Sequence, residues 1–118
     1  MILLKESTIP FRIFDVLRKL GALDETTGFY YAAYGLQLAL EQPQRLAFVT
    51  KWLYPEIGKK YQTTGSAVER GIRLLIKGIL RKPRTDLCDT LFPNGEHLTA
   101  ARFIAVVANY LASEEIVA

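Results

Sequence analysis

A chain of 118 residues, 50% hydrophobic and 11% aromatic, has the material for one folded domain with a modest core, and that composition excludes intrinsic disorder. Its formal net charge of +3 and pI of about 9.1 are only mildly basic. A single cysteine, Cys88, excludes an intramolecular disulfide, points to a reducing compartment, and makes the cytoplasm the expected location. The opening "MILLKESTIPF" has no basic residue before its apolar run and does not read as a signal peptide. The longest stretch without Asp, Glu, Lys or Arg, residues 26–40, is broken by Gly and Gln and falls short of the ~20 apolar residues of a membrane span, so no membrane partner is expected.

The pattern is helical nearly throughout. A first helix is predicted over about Ser7 to Leu20, with Phe11, Phe14, Val16 and Leu17 mostly on one side and Gly21 as its stop. A second covers Thr27 to Glu41 and is apolar on most of its surface, hence central. Gly28, Ala32, Gly35 and Ala39 recur there at steps of three or four, a stripe of small residues that admits another helix closely. Pro43 closes this element, and a third helix runs from about Gln44 to Trp52. Pro55 suits a first helical position, so residues 55–61 read as a separate short helix. The polar link "QTTG" then leads to a helix from about Ser66 to Leu80, stopping before Pro83. A short helix follows from about Thr85 to Phe92, with Cys88 as a small buried residue. "PNG" at 93–95 is a turn. A last helix, about Thr99 to Ser113, is striped by Phe103, Ile104, Val107 and Leu111. The expectation is one all-α domain of six or seven helices spanning 1–118, with no receiver domain.

The chemistry concentrates between Pro55 and Arg84. At about 100° per residue, Glu69, Arg73, Ser66, Lys77, Arg70 and Arg81 fall within roughly 120° of arc, while Leu75, Val68, Ile79, Ile72 and Ile76 occupy roughly 240° to 340°. One face is to be buried; the other carries four cations against one anion. Ile57, the small Gly58 and Tyr61 lie on the preceding helix; the distance from Ile57 to Val68 suits the inward anchors of a helix-turn-helix over about residues 55–80, with Ile72 as the next anchor, and Gly58 after the first anchor lets the second helix cross closely. This segment holds eight cations against two anions, a surplus of six; the rest has seven against ten, a deficit of three. Such a footprint suits double-stranded DNA. An Arg can donate two bonds to a guanine edge, and a Glu can accept from cytosine. Lys59, Lys60, Lys77 and Arg81 are suited to phosphate, as are Thr63, Thr64 and the amides of the helix N-terminus. A solvated face explains the same residues differently: Ser66-Ala-Val-Glu69 reads as a capping box and Glu69–Arg73 as an i,i+4 pair worth about 0.3 kcal/mol. The alternative function is therefore a helical domain for protein contacts.

The run "TKWLYPEIGKKYQTTGSAVERGIRLLI" resembles the C-terminal effector domain of the stage-zero sporulation protein A, the sporulation response regulator. The matching residues are Thr50, Lys51, Leu53, Tyr54, Pro55, Ile57, Lys59, Lys60, Thr63, Thr64, Val68, Glu69, Arg70, Ile72 and Arg73. "FIAVVANYLASEE" is similar to the last helix of that family, and "LRKLGALDETTGFYYAAYGLQLAL" matches its first two helices more loosely. The resemblance covers about residues 10–115. It implies an all-α DNA-binding domain that recognises a promoter element in duplex DNA. A second copy in tandem on the DNA is implied as a partner, and RNA polymerase is a candidate partner. Glu69, Arg70 and Arg73 match the base-reading face; Ser66, Lys59 and Lys60 match backbone-contacting positions. The chain departs from the family pattern at Ala67, where a basic residue is common, and at Leu74, where His is common.

No enzyme is expected, and no cofactor or metal. His97 and Cys88, nine residues apart, supply too few ligands for zinc, and a Cys–His nucleophile has no third group to orient it. Asp86 and Asp89 read as a helix cap and a first-turn charge. The tyrosines at 30, 31, 34, 54 and 61 read as core and interface residues rather than base-stacking platforms.

Overall fold

The computed structural model describes residues 9–93 and 97–117, with side chains to residue 114. Among these residues there are seven α-helices, one 3₁₀ helix and no strand. In chain order they are α1 (Phe11–Lys19), α2 (Thr27–Glu41), the 3₁₀ helix (Pro43–Phe48), α3 (Val49–Trp52), α4 (Tyr54–Tyr61), α5 (Gly65–Arg81), α6 (Asp86–Leu91) and α7 (Ala100–Val117).

Helix α1 starts at Phe11, because Pro10 is extended and its ring suits the position before a first turn. The expected start at Ser7 lies outside the described residues. The helix closes at Gly21 as expected: Gly21 N–H bonds to the Arg18 carbonyl at 2.9 Å and Ala22 N–H to the Leu17 carbonyl at 3.1 Å, with Gly21 at φ +114. The predicted helix 44–52 is instead a 3₁₀ helix and a short α-helix, broken at Phe48, whose backbone is non-helical at φ −153 and ψ 76. With three residues per turn, Pro43, Leu46 and Val49 share one side, and Leu46 and Val49 pack against the core. Arg45 folds back to donate to the Leu38 carbonyl at 3.1 Å, tying this segment to the end of α2. At α6 the cap is Thr85, whose hydroxyl oxygen accepts from Cys88 N–H at 3.1 Å, not Asp86, which occupies the first turn. Thr99 caps α7 by accepting from Arg102 N–H at 3.1 Å, and α7 runs past the expected Ser113 to Val117.

Helix α2 lies at the centre, with Phe29, Ala32, Ala33 and Leu36 wholly buried. Its small-residue stripe works as the sequence suggests. A β-carbon at Gly28 would stand 2.1 Å from the Gly71 carbonyl oxygen, so α2 and α5 touch backbone to backbone. A β-carbon at Gly71 would meet the Tyr31 ring at 2.8 Å. One at Gly35 would meet Ile57 Cδ1 of α4 at 3.0 Å and Ile104 Cδ1 of α7 at 4.0 Å. Tyr61 of α4 packs against Tyr31 and Tyr34 of α2, with ring centroids at 5.5 and 6.1 Å. The helix-turn-helix pair is thus fixed to α2 by glycine contacts on one side and tyrosines on the other.

Gly28→Ala is expected to lower stability by about 1–3 kcal/mol through overpacking, whereas Gly78→Ala, with nothing within 4 Å of an added β-carbon, is expected to raise it by up to about 1 kcal/mol. Chemical denaturation of the two variants checks both signs.

Candidate nucleic-acid interface

The helix-turn-helix anchors are where the sequence puts them: Ile57, Val68 and Ile72 are completely buried. Between α4 and α5 the chain reverses over Gln62, Thr63 and Thr64. Gln62 adopts the left-handed conformation, φ 58 and ψ 47, that glycine usually supplies in such a turn. Thr63 N–H bonds to the Gly58 carbonyl at 2.8 Å, and a β-carbon at Gly58 would stand 2.7 Å from the Thr63 carbonyl oxygen. Gly58 therefore makes room for the turn itself rather than for the second helix.

The capping box expected at Ser66 does not form. Thr64 has the extended backbone of an N-cap, and its hydroxyl oxygen accepts from Ala67 N–H at 3.1 Å. Helix α5 begins at Gly65, one residue before the predicted start, so Ser66 falls inside the first turn with its side chain exposed. Glu69 is then released from a capping role. Its carboxylate lies 4.0 Å from Arg73, at the outer limit of an ion pair between two solvated side chains.

Arg70, Arg73, Lys77 and Arg81 are exposed, and Val68, Ile72, Leu75, Ile76 and Ile79 are buried, so the two faces of α5 are as segregated as the wheel implies. Arg70, Lys77 and Arg81 have no ion-pair partner among the described residues. The last two cations of the basic segment are different. Lys82 lies 3.9 Å from Asp24, and Arg84 bonds to the Asp89 carboxylate and to the Phe92 carbonyl. Their partners lie at or beyond the ends of the segment, so counting charges within it overstates the field it presents.

Two surface clefts flank this face. One, of about 350 Å³, lies at the N-terminus of α5 and is lined by Thr50, Tyr54, Pro55, Thr64, Ser66 and Glu69. The other, of about 400 Å³, brings His97 and Leu98 to Arg70, Arg73 and Lys77. Lys59 and Lys60 line neither cleft; Lys59 is exposed, and Lys60 Nζ sits 5.4 Å from the Tyr34 ring centroid. Thr63 is half-buried in the turn. Thr50 and His97 were given no place on this face by the sequence. Thr50 stands far from α5 in the helical register, and His97 arrives from a connection some twenty residues downstream. Only the packing brings either into reach.

Burial pushes the Tyr54 phenol up to about 12, and the neighbouring Glu69 carboxylate adds to the rise. Burial also raises the Cys88 thiol, with Arg84 opposing it, as suits an inert core thiol. No described helix is long and apolar enough to cross a membrane.

A basic, exposed helix joined by a tight turn to a support helix, with Ile57, Val68 and Ile72 buried between them and the core, defines a helix-turn-helix domain. The family model described as "Sporulation initiation factor Spo0A C terminal" matches residues 13–111, and the chain belongs to that family, whose members are DNA-binding domains of a sporulation transcription regulator and not enzymes.

Two outcomes follow from this local structure. Gln62→Gly is expected to stabilise the domain by about 0.5 kcal/mol, the relief of left-handed strain exceeding the added chain entropy, as read from a denaturation midpoint. For Tyr54 the folded group holds its proton more tightly than the unfolded one. Its contribution to stability is therefore complete below pH 10 and is lost as pH rises towards 12. Stability measured across that range should fall less steeply in Tyr54→Phe than in the wild type.

Proposed function

We propose that this domain binds double-stranded promoter DNA sequence-specifically, with α5 in the major groove, as a cytoplasmic regulator of sporulation-type transcription. The observation that carries this reading is the exposed row of Arg70, Lys77 and Arg81, without ion-pair partners among the described residues, on a helix whose opposite face is locked into the core. A cation row held without a counter-charge is stabilised when a polyanion replaces its solvent ions.

Within that reading Glu69, Arg70 and Arg73 meet base edges. A guanidinium donates to the O6 and N7 of guanine, and the carboxylate accepts from the N4 of cytosine. Lys59, Lys60, Lys77 and Arg81 meet phosphates, together with Ser66, Thr63 and Thr64 beside the first-turn amides of α5. A second copy bound in tandem and RNA polymerase are the protein partners that suit a promoter-bound regulator. The second reading, a domain for protein contacts, is favoured by the exposed Phe48 and Trp52, whose rings meet edge to face at 6.1 Å.

Fluorescence anisotropy against duplex DNA at several salt concentrations separates the two. DNA binding requires log K to fall with log salt at a slope of about −0.9 per phosphate contacted; salt-independent or absent binding would overturn the first reading. Arg70→Ala is expected to cost about 1–3 kcal/mol on the preferred site and much less on random duplex, whereas Lys77→Ala is expected to weaken both alike.

A further inference from the structure

A lone exposed leucine on most protein surfaces carries no meaning. Leu74 is different because of where it stands. It is 54% exposed and forms no part of the core cluster, yet it occupies the same helix as the cation row. It lies one turn beyond Arg70 and directly after Arg73, so that Glu69, Arg70, Arg73 and Leu74 form a contiguous diamond of side chains at i, i+1, i+4 and i+5. Leu74 stands on the ridge between two grooves, lining both the cleft with Arg70, Arg73 and Lys77 and a second groove with Leu23 and Gly78. Gly78, one turn further along, has no atom within 4 Å of an added β-carbon. Gly78 itself presents no side chain to a base edge approaching Leu74 from that end.

We propose that Leu74 is a specificity-determining residue that packs against the 5-methyl group of a thymine next to the base pair met by Arg70. The inference rests on the DNA-binding reading and deepens it. The major groove offers one apolar feature, the thymine methyl, and an exposed aliphatic side chain among base-reading polar ones is complementary to it. Covering Leu74 with a protein partner is the less suitable alternative. Lys77 and Glu69 would be drawn towards the same contact, and Lys and Glu are depleted at protein interfaces.

Selection from a randomised duplex pool first defines the bound sequence, and each thymine in it is then replaced singly by deoxyuridine, which removes only the methyl. One such replacement is expected to weaken wild-type binding about fourfold, the value of one buried methyl-sized group. Leu74→Ala should bind the thymine duplex more weakly and be insensitive to that same replacement. Because Leu74 is exposed, the variant should keep the wild-type melting midpoint, which verifies that it is folded. The proposal is overturned if no deoxyuridine duplex loses affinity, or if Leu74→Ala and the wild type lose it equally. It is also overturned if Leu74→Ala leaves every duplex affinity unchanged while abolishing self-association in sedimentation, which would assign the residue to a protein contact. A pool that yields no enriched sequence is a separate failure, of the DNA-binding reading itself, and removes this inference with it.

Discussion

The contact on which the rest of the structure depends is the one between Gly28 of α2 and Gly71 of α5. Neither residue has a side chain to adjust, so the separation of the two helices is set by backbone atoms in van der Waals contact. Side-chain packing tolerates a change of rotamer; backbone packing does not. Gly71 lies in the middle of α5, between the exposed Arg70 and the buried Ile72. The depth at which the cation row stands above the core is therefore fixed beside Arg70, its first member. Tyr31, seated against Gly71, and Tyr61, seated against Tyr31, carry the same constraint to α4. Support helix and exposed helix thus share one reference, the surface of α2.

Most of the architecture was legible from the sequence because it follows from periodicity. The faces of α5, the centrality of α2, the three helix-turn-helix anchors and the stop at Gly21 all derive from spacing and from glycine. What was not legible falls into two kinds. The caps at Thr64 and Thr85 fall one or two residues from the expected Ser66 and Asp86, because a sequence such as "TTGS" or "RTD" offers several hydroxyls or carboxylates and only the backbone angle selects among them. The break at Phe48 leaves no mark in the sequence, because a 3₁₀ segment and an α-helix of this length share the same apolar residues.

The second kind concerns the site. Local charge counting singles out α5 but carries no sign that Asp24 and Asp89 pair with Lys82 and Arg84 just beyond it, nor that Lys60 leans on Tyr34. It could not bring His97 or Thr50 onto the face either. These are contacts across the fold, with no trace in the spacing of any one segment. Leu74 was visible as a departure from the family pattern, but its exposure among the cations is a property of the packed helix.

The pairing of Lys82 and Arg84 just beyond α5 has an electrical consequence. With Lys82 and Arg84 paired to carboxylates, Arg70, Lys77 and Arg81 stand without ion-pair partners among the described residues along the exposed face of the helix, while the chain outside residues 55–84 carries seven cations against ten anions. The molecule is therefore polarised in addition to being basic. In the field of any polyanion such a body experiences a torque as well as an attraction, felt over roughly the 8–10 Å of a Debye length at ordinary ionic strength. It turns before it touches. Orientation is then largely set during the approach, and fewer encounters are spent on the wrong face.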